Sequence, residues 1–168
     1  MSHEIPDRAS TKVGTDMFHY QGRPYILCVD YFSKYPEVQW VKNETAKACI
    51  GALKSIFGRH SIPETVVSDN GPCFDCKEFR DFATSWGFKH ETISPGFSQS
   101  NGQAENSVKT VKRIMKKAQK CESDPAVGLM EYRATPIQGL DVSPAQLLFN
   151  RQIRTFMPTT TAMLMPEV

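Results

Sequence analysis

The stretch VGTDMFHYQGRPYILCVDY, residues 13–31, decides the fold. Val13 to Phe18 reads as one strand, Gln21-Gly22-Arg23 as a turn and Tyr25 to Tyr31 as a second strand. The second is almost continuously apolar, the pattern of a strand covered on both faces. After a break at Lys34-Tyr35-Pro36, Val38 to Val41 supplies a third short strand, so the chain opens with a meander. Helical periodicity then runs from Thr45 to about Arg59, with Cys49, Leu53, Ile56 and Phe57 on one face and Pro63 just beyond. Thr65-Val66-Val67 is a short buried strand leading straight into Asp69-Asn70-Gly71. Phe79, Phe82, Ala83 and Trp86 mark a helix closed by Gly87, and Phe88 to Ile93 is the fifth strand. The turn-rich segment SPGFSQSN, residues 94–101, is expected to be mobile and precedes a long helix from about Gln103 to Lys120. Asp124-Pro125 and Ser143-Pro144 each combine an N-cap with proline at the first helical position, which predicts helices to about Tyr132 and Phe149. The order β-β-β-α-β-α-β-α-α-α implies an α/β domain, a mixed five-stranded sheet with helices on both faces. Residues 12–150 are read as the core, 1–11 as an N-terminal extension, and the Pro/Thr-rich residues 151–168 as an extended tail or linker.

Totals exclude several classes. The 168 residues suit one domain, and 40% hydrophobic with 23% charged residues is ordinary globular composition. No apolar run approaches the roughly 20 residues of a membrane span, and the opening MSHEIPDRAS has no apolar signal-peptide core. Five irregularly spaced cysteines argue for free thiols in a reducing compartment rather than a disulfide framework. The net charge of +2 says little about partners.

Three carboxylates call for an explanation. Asp16 lies inside a strand among large apolar residues, where a charge needs a cation, a donor or water beside it. Asp69 follows a buried strand directly, at the kind of strand end where α/β folds place ligands. Glu105 is on the first turn of the long helix. Such a set suits Mg²⁺, which takes oxygen ligands. Plainer accounts compete: Asp69 as the acceptor of an Asp-Asn-Gly turn, Glu105 as an acid favoured by the helix dipole, Asp30 as a rival carboxylate. The long helix adds independent weight. Ala104, Val108, Val111, Met115 and Ala118 form its core-facing stripe, while Glu105, Lys109, Lys112 and Lys116 form a second stripe. Residues 101–120 carry six basic groups and one acid, a charge of +5 against −3 for the remainder. A solvated face with a Glu105–Lys109 pair explains one contact but not the one-sided excess. A carboxylate heading a basic ridge fits a metal-dependent enzyme acting on phosphodiesters.

Val13-Gly14-Thr15-Asp16, Val67-Ser68-Asp69-Asn70-Gly71-Pro72 and Ser100-Asn101-Gly102-Gln103-Ala104-Glu105, taken in order, resemble the catalytic core of retroviral and retrotransposon integrases. Thirty-five residues separate Asp69 from Glu105, as in that family's D,D-35-E signature. Val29-Asp30-Tyr31-Phe32-Ser33-Lys34-Tyr35-Pro36, Tyr132-Arg133-Ala134-Thr135-Pro136 and Ser143-Pro144-Ala145-Gln146-Leu147-Leu148 resemble the gypsy-type (Ty3-like) branch. The likeness runs from about Lys12 to Pro158. It implies an RNase H-like fold and a polynucleotidyl transferase, with Asp16, Asp69 and Glu105 as catalytic residues holding two Mg²⁺ or Mn²⁺ ions. It further implies DNA contacts at Asn101, Gly102, Lys109, Lys112 and Lys116, and a homodimer or higher oligomer. DNA ends and target DNA would be the partners, with no membrane and no small-molecule cofactor. Synthesis in the cytoplasm would be followed by action in the nucleus.

The family's His/Cys zinc domain and its C-terminal domain find no match, so the chain is read as a core cut from a longer polyprotein or host protein. Two other functional readings stay open: a host-domesticated integrase domain that binds DNA or assembles without catalysis, and an RNase H-type nuclease. Cys73-x-x-Cys76 could be a zinc half-site, but a buried or reactive thiol pair is the better reading. Lys112-Arg113-x-x-Lys116-Lys117 could be an import signal, although its helical phase favours a DNA-facing ridge.

Overall fold

The computed structural model describes residues 6–93 and 102–167, the side chains of 102–105 excepted. The three-strand meander comprises β1 (Lys12–Tyr20), β2 (Arg23–Asp30) and β3 (Pro36–Trp40). Then follow α1 (Ala46–His60), β4 (Thr65–Asp69), α2 (Lys77–Trp86) and β5 (Lys89–Ile93). The remaining helices are α3 (Gly102–Lys120), α4 (Pro125–Ala134), α5 (Pro144–Phe149) and α6 (Thr161–Leu164). The sheet order is β3-β2-β1-β4-β5; β1 and β2 are antiparallel, as are β2 and β3, whereas β4 runs parallel to both β1 and β5. The expected mixed five-stranded sheet is therefore present.

Local chemistry explains most boundaries. Gln21 and Gly22 both take positive φ, 53° and 73°, the backbone of a two-residue hairpin whose twist matches its strands. Thr45 caps α1 by accepting from the Ala48 N–H at 3.2 Å. Gly87 ends α2 in the left-handed conformation at φ 76°. Asp124 caps α4, and Ser143 with Gln146 forms a capping box on α5.

Helices cover both faces of the sheet. Ile26 and Cys28 of β2 join Val13 and Val66 under Leu53, Ile56 and Phe57 of α1 and Phe79 and Phe82 of α2. Leu27, pointing the other way, packs with Phe18 beneath Val108, Val111 and Met115 of α3. This two-sided burial is why β2 reads as an unbroken apolar run.

The structure differs from the sequence reading at several boundaries: β2 begins at Arg23 rather than Tyr25, and β3 spans Pro36–Trp40, where a break at Lys34-Tyr35-Pro36 and a strand from Val38 to Val41 were expected. β1 runs on to Tyr20, because its last residues pair with β2 up to the hairpin, Tyr20 opposite Arg23. Residues 151–167 carry the short helix α6 and fold back on α4 and α5: the Gln152 N–H donates to the Met163 carbonyl at 2.8 Å, and Gln152 Nε2 to the Ala134 carbonyl at 3.0 Å. Thr160 caps α6 by accepting from the Met163 N–H. The segment SPGFSQSN, residues 94–101, lies outside the described residues.

Candidate active site

The parallel pairing of β1 with β4 sets Val13 opposite Val66 and Gly14 opposite Val67. Opposed residues in a sheet share a face, and each face recurs every second residue. Asp16 and Asp69 each stand two residues beyond the Gly14–Val67 pair, so they fall on the same face at the carboxyl end of β4. The paired register ends at Gly14 and Val67, and both carboxylates lie just past it.

That face is the one α3 covers. Phe18, two residues after Asp16, packs on Val108, Val111 and Met115, and Leu27, opposite Asp16 on β2, joins the same cluster. The direction of α3 is set by two contacts. Tyr20 Oη donates to the Met115 carbonyl at 2.8 Å, and Lys112 Nζ lies 5.7 Å from the Phe18 ring centroid. Going back along β1 from Tyr20 to Phe18 therefore matches going back along α3 from Met115 to Lys112. The first turn of α3, which carries Glu105, lies at the Asp16 end of β1.

The two aspartates sit in different surroundings. Asp16 is half-buried, whereas Asp69 is exposed at its strand end. Among the described residues, the Gly71 N–H is the one hydrogen-bond donor to the Asp69 carboxylate, at 2.9 Å on Oδ1. The turn expected of Asp-Asn-Gly is thus present, and it engages only one carboxylate oxygen. Gly71 has a second use: a Cβ there would stand 2.9 Å from Asp69 Oδ1. On the opposite face of β4, buried Ser68 pairs through Oγ with His90 Nε2 at 2.7 Å, and the His90 ring lies 4.6 Å from Phe79. Burial lowers the His90 pKa against the opposing charge of Asp75, so the pair acts as a neutral fastener between β4 and β5.

Asp30, the rival carboxylate, is structural. It is 7% exposed and accepts from the Ser10 and Ser33 N–H groups, each at 2.9 Å. A second charged cluster holds the far edge of the sheet. Glu37 of β3 meets His60 at 2.6 Å, Arg59 at 3.5 Å and Arg133 of α4 at 3.9 Å. Burial would raise the Glu37 pKa, but the His60 hydrogen bond and the surrounding cations outweigh it and hold the carboxyl below its ordinary range.

Along α3, Val108, Val111, Met115 and Ala118 are buried, as the core stripe requires. Lys109 and Lys116 are exposed, and Lys112 is half-buried against Phe18. Gly102 opens the helix. Asn101 and the Glu105 side chain lie outside the described residues. Among the described residues, no three His, Cys, Asp or Glu side chains converge closely enough to hold a metal ion, so Cys73 and Cys76 have no such partners for zinc there. The sequence reading gave no role to Phe18, Tyr20 or Gly71; Gly71 was read as a turn residue and as part of the motif around Asp69, and the other two act through contacts remote in sequence.

A family model described as "Integrase core domain" matches residues 6–98, more than half of the chain. The chain belongs to the integrase core family. This integrase core is 34% identical over 155 residues to the uncharacterized protein K02A2.6 of Caenorhabditis elegans, covering 85% of the chain and 12% of that protein. It is 32% identical over 138 residues to the Gag-Pol polyprotein of walleye dermal sarcoma virus, covering 77% of the chain and 8% of the polyprotein. The chain thus spans about a tenth of the length of these relatives. Among solved structures, the HTLV-2 integrase catalytic core domain, in complex with magnesium, superposes with a TM-score of 0.68 at 23% identity, covering 84% of this chain and 98% of that one. The simian T-cell lymphotropic virus intasome, in complex with the PP2A regulatory subunit B56 gamma, gives 0.74 at 21% identity, covering 95% of this chain and 64% of that one. These likenesses establish the RNase H-like fold.

Proposed function

We propose that this integrase core is a metal-dependent polynucleotidyl transferase that processes DNA 3′ ends and joins them to target DNA. The observation that carries the reading is the β1–β4 register, which sets Asp16 and Asp69 on one face at one sheet end, with the first turn of α3 alongside. The donor set fits a hard divalent cation: the aspartates offer oxygen only, and one Asp69 oxygen is free of the Gly71 bond among the described residues. Asp16, Asp69 and Glu105 would hold two Mg²⁺ or Mn²⁺ ions. When bound, the ions would supply activation of the attacking oxygen and stabilisation of the leaving 3′ oxygen.

The chain's own side chains do the rest. The Gly71 N–H fixes the Asp69 carboxylate, which limits reorganisation when a ligand arrives. Packing of α3 on Phe18 and Leu27 holds the helix over the strand that carries Asp16. Lys109, Lys112 and Lys116, with Asn101 and Gly102, would bind the DNA backbone, so affinity would be salt-sensitive and largely independent of sequence. Assembly as a homodimer or higher oligomer and action in the nucleus belong to the same reading.

The test is incubation with Mn²⁺ and a branched DNA that mimics a joined product, following release of the joined strand. Release that Asp69→Asn abolishes supports the reading. An inert protein that also fails to bind Mn²⁺ overturns it. Inertness with intact DNA binding would favour the domesticated binding module, and cleavage of an RNA–DNA hybrid the nuclease.

A further inference from the structure

Asp69 closes β4 with a neighbouring strand paired on one side only. The β1–β4 pairing stops at Gly14 opposite Val67, whereas the β4–β5 pairing runs on to Asp69 itself, opposite Ile93. A strand end of this kind opens more readily than a strand interior. The Gly71 N–H steadies the Asp69 carboxylate. A second hold comes from Ser68, which is fully buried on the opposite face of the sheet. Its Oγ lies 2.9 Å from the Asp69 carbonyl oxygen and 2.7 Å from His90 Nε2. His90 belongs to β5, opposite Val66, and its ring lies 4.6 Å from that of Phe79 in α2.

The acceptors fix where the protons sit. A carbonyl oxygen only accepts, so the single Ser68 Oγ–H donates to the Asp69 carbonyl. Oγ then accepts from His90, which places the ring proton on Nε2. We propose that His90 and Ser68 are positioning residues for the candidate site. His90 locks the Ser68 hydroxyl, and that hydroxyl holds the Asp69 main chain so that its carboxylate stays in place for a divalent ion. The proposal rests on the reading of Asp69 as a metal ligand. Ser68 is enclosed, so water does not readily replace a donor lost there.

Three substitutions separate positioning from packing. Ser68→Ala removes the hydroxyl and leaves the His90 N–H facing a methyl group. His90→Leu removes the donor but keeps apolar bulk against Phe79. His90→Gln sacrifices the ring and keeps an amide N–H that can reach Ser68. If the pair only fills space between β4, β5 and α2, leucine should serve at least as well as glutamine. If it positions Asp69, the donor matters and glutamine should be the better replacement.

The experiment titrates the whole chain with Mn²⁺, following the free ion by electron paramagnetic resonance, and measures exchange of the Gly71 amide by NMR. Both are run well below each variant's melting temperature, with Asp69→Asn alongside. Ser68→Ala and His90→Leu should weaken Mn²⁺ binding on the order of tenfold, the scale on which losing a group that orients a ligand acts. Both should also speed Gly71 amide exchange, because a loosened Asp69 gives up its bond from that N–H. His90→Gln should stay within about twofold of the parent, since the donor is kept. Mn²⁺ binding and Gly71 exchange that Ser68→Ala leaves unaltered would overturn the proposal, as would glutamine behaving like leucine at position 90. Failure of both Ser68→Ala and His90→Leu to fold would assign the pair to stability alone and overturn it too. Mn²⁺ binding that survives Asp69→Asn would instead sink the reading of Asp69 as a ligand, and Gly71 exchange would then decide by itself whether the pair holds Asp69.

Discussion

Replacing Gly71 with alanine separates the structural and functional roles of Asp69. The added Cβ would stand 2.9 Å from Asp69 Oδ1, and 3.8 Å from both Asp69 Cγ and Phe74 Cδ2. A comfortable carbon–oxygen contact begins near about 3.3 Å, so only the Oδ1 contact is too short. The carboxylate is the free end of an exposed side chain and can turn away, at the expense of its bond from the Gly71 N–H. That bond is worth about 0.5–1.5 kcal/mol, and in a chain of this size each 1 kcal/mol moves the melting temperature by roughly 2–4 °C. Gly71→Ala should therefore melt only a few degrees below the parent. Misplacing a ligating group by a fraction of an ångström is far more costly to chemistry, so release from branched DNA should fall about 10–100-fold. Thermal melting, Mn²⁺ titration and the DNA assay, run on the same preparations, read the split. Unaltered metal binding and release would refute the idea that the turn positions Asp69. Wholesale unfolding would refute the idea that the carboxylate is what yields.

The Glu37 cluster predicts acid sensitivity. Because its folded pKa lies below the unfolded value, Glu37 stabilises the fold above the ordinary glutamate range of about 4.3 and loses that contribution as pH falls through the folded value. Glu37→Gln should cost about 1 kcal/mol at neutral pH, discounted for the solvent that reaches the cluster, and progressively less toward pH 3 in urea unfolding; a pH-independent difference would refute it. Gly128 of α4 is closely packed on α3, since a Cβ there would lie 2.7 Å from Ile114 Cγ2. Gly128→Ala should cost about 1–3 kcal/mol by overpacking, and relief by Ile114→Val would identify the contact in a double-mutant cycle. Alanine at Lys109, Lys112 and Lys116 together should lower the slope of log K against log salt for duplex DNA by up to about three. An unaltered slope in filter binding would move the DNA interface off this stripe.

The element order, the helix caps and the two-sided burial of β2 were legible in the sequence because each depends on neighbours within a few residues. Gly87, Asp124-Pro125 and Ser143-Pro144 announce helix ends wherever they fall. The core stripe of α3 was legible for the same reason: its periodicity is local. Asp16 and Asp69 could be singled out by the motifs around them and by the Asp69–Glu105 spacing, but burial and partners, which separate them from Asp30, are not local to the sequence. The backbone donors Ser10 and Ser33 assign Asp30 to structure, and one of them lies twenty residues away.

The sequence by itself thus determined which segments become strands and helices, and where one face of α3 gathers its positive charge. Only the tertiary structure decided which carboxylates share a face of the sheet. The parallel β1–β4 pairing, made across more than fifty residues of chain, puts Asp16 and Asp69 on one face. The seating of α3 on Phe18 and Tyr20 brings its first turn to the same end. Register and helix direction come from packing between distant segments, and such contacts leave no local pattern to read.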